Sequence, residues 1–419
     1  MAEKVLVISP VPLFPSHSGN RTRILSICTE LQNLGYTLDF FYIGFQHKIS
    51  SLHEKFFNGT VLNHNIQEKE MLPGRYLLLR ILEIINGLKI RAQRQVRKQK
   101  YGTDSARFNK SLYDFKNIRK LKLLQKQLSI SEGGYKAVVL NYAVYSFYLD
   151  LFDENIVKII DTHDRLSDRY KLYIEGGEEP VAWKSITPDD ERKAIRKADI
   201  IWAITQKEAD YFKKLTEGEK PKVFTVPHLV EFKDVSIDSD SPKKTILAVA
   251  GKGKINIAGL NWFFSEVWKE VTAQNPELKL IVAGSICDMK EQLHSVENVT
   301  FHGRYDDSEE VYGLTTFCIN PIQFGTGLKI KTLEALSFGK EVLTTQTGAD
   351  GLEQFAGKGL IVKNNPKDWI NIILTRFGGA VSEDSFRTEL LHRQIDVMYK
   401  KTIDQIVASI EEKENRAQR

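Results

Sequence analysis

Between Phe324 and Gly351 the chain reads FGTGLKIKTLEALSFGKEVLTTQTGADG, a set of residue types suited to holding an anion. A loop bracketed by Gly325 and Gly327 runs into a short helix carrying Lys329, Lys331 and Glu334. Gly339 stops that helix, a strand (EVLTT) follows, and a second glycine loop closes the unit. The first N–H groups of a helix lack intrahelical partners and lie at the positive end of its dipole, so such a start attracts phosphate. A glutamate two turns in can accept hydrogen bonds from a pair of sugar hydroxyls. The unit therefore has the parts to hold a nucleotide by its diphosphate and ribose. An ordinary helix start with Lys331 and Glu334 as a surface pair, worth a few tenths of a kcal/mol, fits the same letters, and the loop alone leaves both readings open.

What positions this unit is legible in the rhythm of the chain. The 419 residues exceed one usual core and point to two lobes. In the first 230 residues short apolar runs alternate with helical patterns: KVLVISP, TLDFFYIG, KAVVLNY, VKIIDTH, ADIIWAIT and KVFTVPH read as strands, and Arg23–Gly35 as a helix ended by its glycine. After a polar, acidic stretch the rhythm restarts with KTILAVAG, LKLIVAG, NVTFHG, TFCINPI, KEVLTT and KGLIVKN. Continuous apolar strands between helices indicate parallel sheets covered on both faces. The expected organisation is an N-terminal lobe over 1–230, a linker over 231–244, a second lobe over 245–385, and charged helices over 386–419 that cross back to the first lobe. In such sheets ligands bind beyond the carboxyl ends of the strands, and two such lobes make a cleft.

Composition narrows the class. At 42% hydrophobic and 27% charged residues the chain is of globular type. Cys28, Cys287 and Cys318 are scattered and odd in number, so they read as buried small side chains in a reducing cytosol, with no metal spacing. Val5–Ile8 is too short for a signal-peptide core, and no window approaches a membrane span. The net charge of +5 is uneven: Arg75–Lys126 holds 15 Lys/Arg against three acids, a local +12 that leaves −7 elsewhere. Within it Tyr76–Leu88 places apolar residues at 77, 81, 84, 85 and 88, a helical stripe beside a cationic run. That pattern suits an anionic membrane surface and equally a core-packed helix with a solvated basic end. Nucleic acid binding lacks stacking aromatics and recognition motifs.

Taken together the motifs resemble the family-four retaining glycosyltransferases. The resemblance rests on Gly303 in TFHGRYDD, then Pro321, Gly325, Gly327, Lys331, Glu334-Ala335-Leu336, Gly339, Val342 and Gly351. It extends to SGNRTRILSICTELQNLGYTL near the start and AGKGKINIAGLNWFFSEVWKEV after the linker. The family implies the GT-B fold: two Rossmann-like, doubly wound α/β lobes facing a central cleft. It also implies transfer of a sugar from a UDP- or GDP-linked donor to an acceptor hydroxyl with retention, without metal or other cofactor. Developing charge on the diphosphate is then stabilised by amides and cations.

By the same resemblance Glu334 binds the donor ribose. Gly19, Lys252, Lys254, Gly325, Thr326, Gly327, Leu328 and Lys329 serve the diphosphate, with Lys331 as a further source of positive charge. Gly303 and Arg304 face the base. His163, set between Asp161 and Asp164, lies by the donor sugar as the catalytic residue, and Asn20, Arg21 and Arg23 face the acceptor. The chain departs from the family at Thr326, where many members carry a second glutamate, and at Lys329, where many carry glycine. The acceptor expected is a cell-surface or lipid-linked glycan, at the inner face of the plasma membrane, with no nucleic acid partner. A nucleotide-sugar epimerase of the same fold and a non-catalytic nucleotide-sugar-binding protein are the alternatives. The exit loop SPVPLFPSHSGN excludes a G-x-G-x-x-G dehydrogenase turn, and GKGL lacks the features of a P-loop.

Overall fold

The structure is a computed structural model. It describes residues 3–16, 18–44, 49–62, 73–128, 134–180, 185–235, 244–378 and 385–412, by backbone only for 73–79 and 385–387. Residues 236–243 of the expected linker, and 413–419, lie outside the described residues. Chain contacts divide the molecule into two units. The first takes Met1–Ser16, Asn20–Val226 and Ile403–Arg419, the second His17–Gly19 and Pro227–Thr402.

The first unit is built on a seven-stranded sheet: β1 (Lys4–Ser9), β2 (Thr37–Tyr42), β3 (Val61–Leu62), β4 (Ala137–Asn141), β5 (Val157–Asp161), β6 (Ile200–Ala203) and β7 (Lys222–Thr225). Its order is β3-β2-β1-β4-β5-β6-β7, and every pair is parallel. The apolar runs form strands because both faces are covered; Val5, Leu6, Val7 and Ile8 are all buried. Leu6 and Ile8 share one core with Phe41, Val138, Leu140, Ile160, Ile201 and Phe212.

The second unit repeats the design with β8 (Thr245–Val249), β9 (Lys279–Ala283), β10 (Val299–Gly303), β11 (Phe317–Asn320), β12 (Glu341–Thr344) and β13 (Leu360–Val362), ordered β10-β9-β8-β11-β12-β13 and again all parallel. Phe263, Phe264, Trp268, Leu280 and Trp369 centre its core. In both sheets the order reverses once, at β1/β4 and at β8/β11. These are the topological switch points outside which ligands of doubly wound sheets bind.

Five helices matter below. The first, α1 (Gly19–Asn33), begins four residues before the expected Arg23, because its polar first turn is satisfied by the sheet ends rather than by solvent. The second, α2 (Pro73–Phe108), runs well past the expected stripe and bends at Gly102, whose φ of 85° only glycine adopts readily. Then come α3 (Lys254–Phe263), α4 (Ile330–Ser337) and α5 (Ser385–Ile410), the last a single helix. Ile406 and Ile410 of α5 are buried in the first unit, where Trp202 Nε1 donates to Ser409 Oγ at 2.9 Å and Lys222 pairs with Glu412. Cys28 and Cys318 are buried, and burial pushes the Cys318 thiol up to about 12.

Candidate functional site

In the second unit the loop Phe324–Lys329 leaves β11 and opens α4, while Lys252 and Lys254 leave β8 and open α3. Both therefore flank the β8/β11 switch. Gly259 lets helix α3 approach the loop that follows β11: a β-carbon there would lie 2.5 Å from the Pro321 carbonyl oxygen. Neither helix has an acid in its first turn, and neither has a side-chain cap. Each starts with lysines, the reverse of what a helix dipole favours, so the positive end of each dipole is left without an anionic side chain.

The loop geometry adds donors. Gly325 and Gly327 have φ of 133° and 73°, conformations open to glycine. Lys329 Nζ donates to the Thr326 and Gly327 carbonyls at 2.9 and 2.8 Å. A trans peptide points its N–H opposite to its C=O, so the amides of Gly327 and Leu328 face away from the lysine. Neither has a hydrogen-bond partner among the described residues. The Lys329 ammonium is tied to its own loop and shapes it, and keeps its charge there. Thr326, in place of the expected acid, has its hydroxyl buried.

Glu334 lies just over one turn into α4, not two, because the loop persists to Lys329. It is half-buried; Oε1 accepts from Ser308 Oγ at 3.1 Å and Oε2 pairs with Lys331. Lys331 Nζ also reaches Tyr305 Oη at 3.1 Å. Burial alone would lower the Lys331 ammonium, but Glu334 and Tyr305 outweigh it and hold it above the usual lysine range. Its charge is paired with Glu334, one of the two readings the sequence left open. Tyr305 and Ser308 were not singled out in the sequence; they follow β10 and reach Glu334 through the fold. Gly303 ends β10 with φ 90°, and Arg304 forms an exposed ion pair with Asp288. The side chains of Lys252 and Lys254 are exposed, and the Lys252 N–H donates to Ser285 Oγ at 3.2 Å.

In the first unit a polar cluster forms at the ends of β1, β4 and β5, around the β1/β4 switch. His163 is buried, with Nε2 2.8 Å from Asn141 Oδ1 and 3.6 Å from Asp161. Asn141 Nδ2 donates to the Ile8 carbonyl. The His163 ring stacks on Tyr142 at 4.2 Å and 12°, and Asn20 Nδ2 donates to Tyr142 Oη at 3.0 Å. His163 and Tyr142 both hold left-handed backbone, φ 62° and 69°. Such strain costs of order 1–3 kcal/mol per residue and gathers at working sites. The histidine is therefore oriented by Asn141, while Asp164 pairs with Arg169 at 3.2 Å.

Arg23 does not face an acceptor. Its side chain is fully buried, donating to Asp161 through Nε at 2.9 Å and Nη2 at 2.8 Å, and from Nη2 to the Val226 carbonyl at 2.9 Å. A desolvated guanidinium needs such a partner, and Arg23 lies on the buried side of α1 with Ile24, Ile27 and Leu31. Burial alone would raise the Asp161 carboxyl; Arg23 and His163 outweigh it and hold it below the usual carboxylate range. Arg21 Nη1 donates to the Pro15 carbonyl at 2.9 Å. Gly19 opens α1 and is grouped with the second unit.

Two doubly wound parallel sheets, with an amide-lined loop opening a lysine-led helix after the switch strand of the second, define the GT-B class of fold. Residues 243–377 match the family model described as Glycosyl transferases group 1. A curated relative from Klebsiella pneumoniae, "Uncharacterized 44.6 kDa protein in cps region", is 27% identical over 119 residues, 26% of this chain. The match spans 31% of that relative's length. Among solved structures, a S. aureus TarM mutant in complex with Fondaparinux, alpha-GlcNAc-glycerol and UDP superposes with TM-score 0.64 at 10% identity, covering 96% of this chain and 99% of that one. Anabaena HepE in complex with UDP and glucose gives 0.57 at 12% identity, covering 99% of both chains. These likenesses establish the fold over the whole chain.

Proposed function

We propose that this protein is a metal-independent retaining glycosyltransferase that moves a sugar from a UDP- or GDP-linked donor to an acceptor hydroxyl. Its role would be in cell-surface polysaccharide or lipid-linked glycan synthesis on the cytoplasmic side. The observation that carries this reading is the pair of amides of Gly327 and Leu328, unpartnered among the described residues, at a lysine-led helix start one turn ahead of Glu334. The family match at 243–377 covers these residues. The UDP in the TarM and HepE complexes, and the cps-region relative, support the donor type and the polysaccharide context.

In the reaction the bond between the anomeric carbon and the diphosphate oxygen breaks, and its electron pair goes to the diphosphate. The Gly327 and Leu328 amides, the α4 dipole, Lys252 and Lys254 stabilise that charge. The acceptor oxygen bonds to the same face of the sugar, and its proton passes to a leaving phosphate oxygen. Glu334 accepts from the ribose hydroxyls, and Gly303 and Arg304 flank the base. Gly19 joins the diphosphate contacts, and Asn20, Arg21 and His163 serve the acceptor and sugar.

Calorimetric titration with UDP, GDP and their common sugars tests the donor site. Glu334→Gln is expected to weaken the preferred nucleotide about 10- to 100-fold, the worth of hydrogen bonds to a charged group, with thermal stability nearly unchanged. Unchanged nucleotide affinity together with a lower Tm would make Glu334 a partner of Lys331 and Ser308 only. NMR of the donor without acceptor distinguishes transfer from epimerisation. Nucleotide-sugar binding without turnover would favour the non-catalytic reading that Thr326 keeps in view.

A further inference from the structure

The helix α2 turns an apolar stripe outward. On most surface helices the apolar stripe faces the core and the polar side faces water. Here Ile81, Ile84, Ile85 and Leu88, at the spacing of such a stripe, are 45%, 63%, 42% and 58% exposed, and Val96 further along is 59% exposed. The side turned to the rest of the first unit is mixed: Leu82 and Ile90 are half-buried there beside polar contacts. Glu83 accepts from Arg119 Nε at 2.7 Å, Asn86 Nδ2 donates to the Tyr113 carbonyl at 3.2 Å, and Arg97 is buried with Nη1 4.0 Å from Asp190. The stripe is therefore not a core face awaiting a neighbour within this unit, which corrects the core-packed reading. Leu77, the first residue of the expected stripe, has a side chain outside the described residues.

Charge decides what covers it. At about 100° per residue, Arg80, Arg91 and Lys98 fall roughly a quarter-turn to one side of the stripe and Lys89 a similar angle to the other. All four are exposed. Ala92, Gln95 and Gln99 continue the stripe without charge, and they are exposed too. An apolar band over Ile81–Leu88, continued without charge and edged by cations on both sides, matches a bilayer surface, where hydrocarbon lies beneath anionic headgroups. A second copy of this chain would set cations against cations across a two-fold contact. Among the described residues no helix is long and apolar enough to cross a membrane.

We propose that α2 lies in the interface of an anionic bilayer, inserting Ile81, Ile84, Ile85 and Leu88 while Arg80, Lys89, Arg91 and Lys98 contact the headgroups. This goes beyond the transfer reaction and stands without it, since binding is measured with no donor present. The test is sedimentation of the full chain with vesicles of phosphatidylcholine alone and of phosphatidylcholine mixed with phosphatidylglycerol. The mixed vesicles are expected to carry the protein down and the neutral ones to leave it in solution, with salt weakening the effect. Ile84→Ser with Leu88→Ser, and separately Arg91→Glu with Lys98→Glu, should each lower the partition at least about tenfold, given about fivefold per basic residue near the surface. These positions are exposed, so unchanged thermal melting verifies the fold of each variant. No binding to mixed vesicles, or binding indifferent to both double variants, overturns the proposal. So does a dimer in sedimentation velocity that Ile84→Ser with Leu88→Ser abolishes.

Discussion

Replacing Asp161 by asparagine keeps the shape of the side chain and removes the counterion of Arg23. The guanidinium is then left with no charge partner in a site where its side chain is 0% exposed. Taking one member from a buried pair costs about 3–5 kcal/mol, because the remaining charge stays desolvated. The Val226 carbonyl keeps its bond from Nη2, which favours the lower end of that range. The loss belongs to the first unit alone. Hydrogen exchange of the β4, β5 and β6 amides should therefore quicken by a factor of roughly a few hundred to a few thousand, while β8 and β11 exchange as before. Replacing both partners by apolar residues should recover most of the loss. It would not recover all, because the His163 N–H that Asp161 accepts would lose its partner, at about 1–3 kcal/mol. The pH dependence has a fixed sign. The carboxyl is held below its ordinary value in the folded state, so its contribution is whole above about pH 3.9, the unfolded value. It is lost as pH falls through the lower folded value. The asparagine variant should lack that acid-side component. A fivefold or smaller change in exchange, combined with lost transfer, would return Arg23 and Asp161 to the binding machinery and refute the argument.

Lys329→Met removes the clamp on the Thr326 and Gly327 carbonyls; nucleotide affinity by calorimetry should fall about tenfold, the worth of one or two hydrogen bonds, with Tm little changed. An equal affinity would show that the loop holds its shape unaided. Gly259→Ala forces a β-carbon towards the Pro321 carbonyl and should destabilise the second unit by about 1–3 kcal/mol, read from denaturant unfolding; a neutral result would mean that the α3–β11 approach is loose. Truncation after Thr402 removes Ile406, Ser409 and Ile410 from the first unit and should lower its Tm while sparing the second unit, as resolved by exchange in the two sheets.

The strands were legible because buried parallel sheets demand apolar runs, and KVLVISP, VKIIDTH and TFCINPI carry little else. The Phe324–Gly351 unit was legible because its glycines and lysines are contiguous. What escaped were single polar residues joined by strand order. Tyr142 meets Asn20 across 122 positions and Arg23 meets Asp161 across 138; no local pattern announces such pairs. Arg23 was misassigned because an arginine near a ligand loop and an arginine buried under it look alike in one dimension. Ile81–Leu88 showed its periodicity plainly, but a stripe does not say which way it faces. The exposure of Ile81, Ile84, Ile85 and Leu88 settles that.

The discontinuous make-up of the first unit has a consequence for synthesis. Its sheet is written by residue 225, yet the segment that covers Trp202 begins at Ile403, after the whole of the other unit. As the polypeptide leaves the ribosome, the later unit has nearly all its sequence in hand while the earlier one still lacks a wall. The usual rule that leading domains mature ahead of trailing ones is here reversed at the last step, since closure of the leading domain waits on residues translated after its companion.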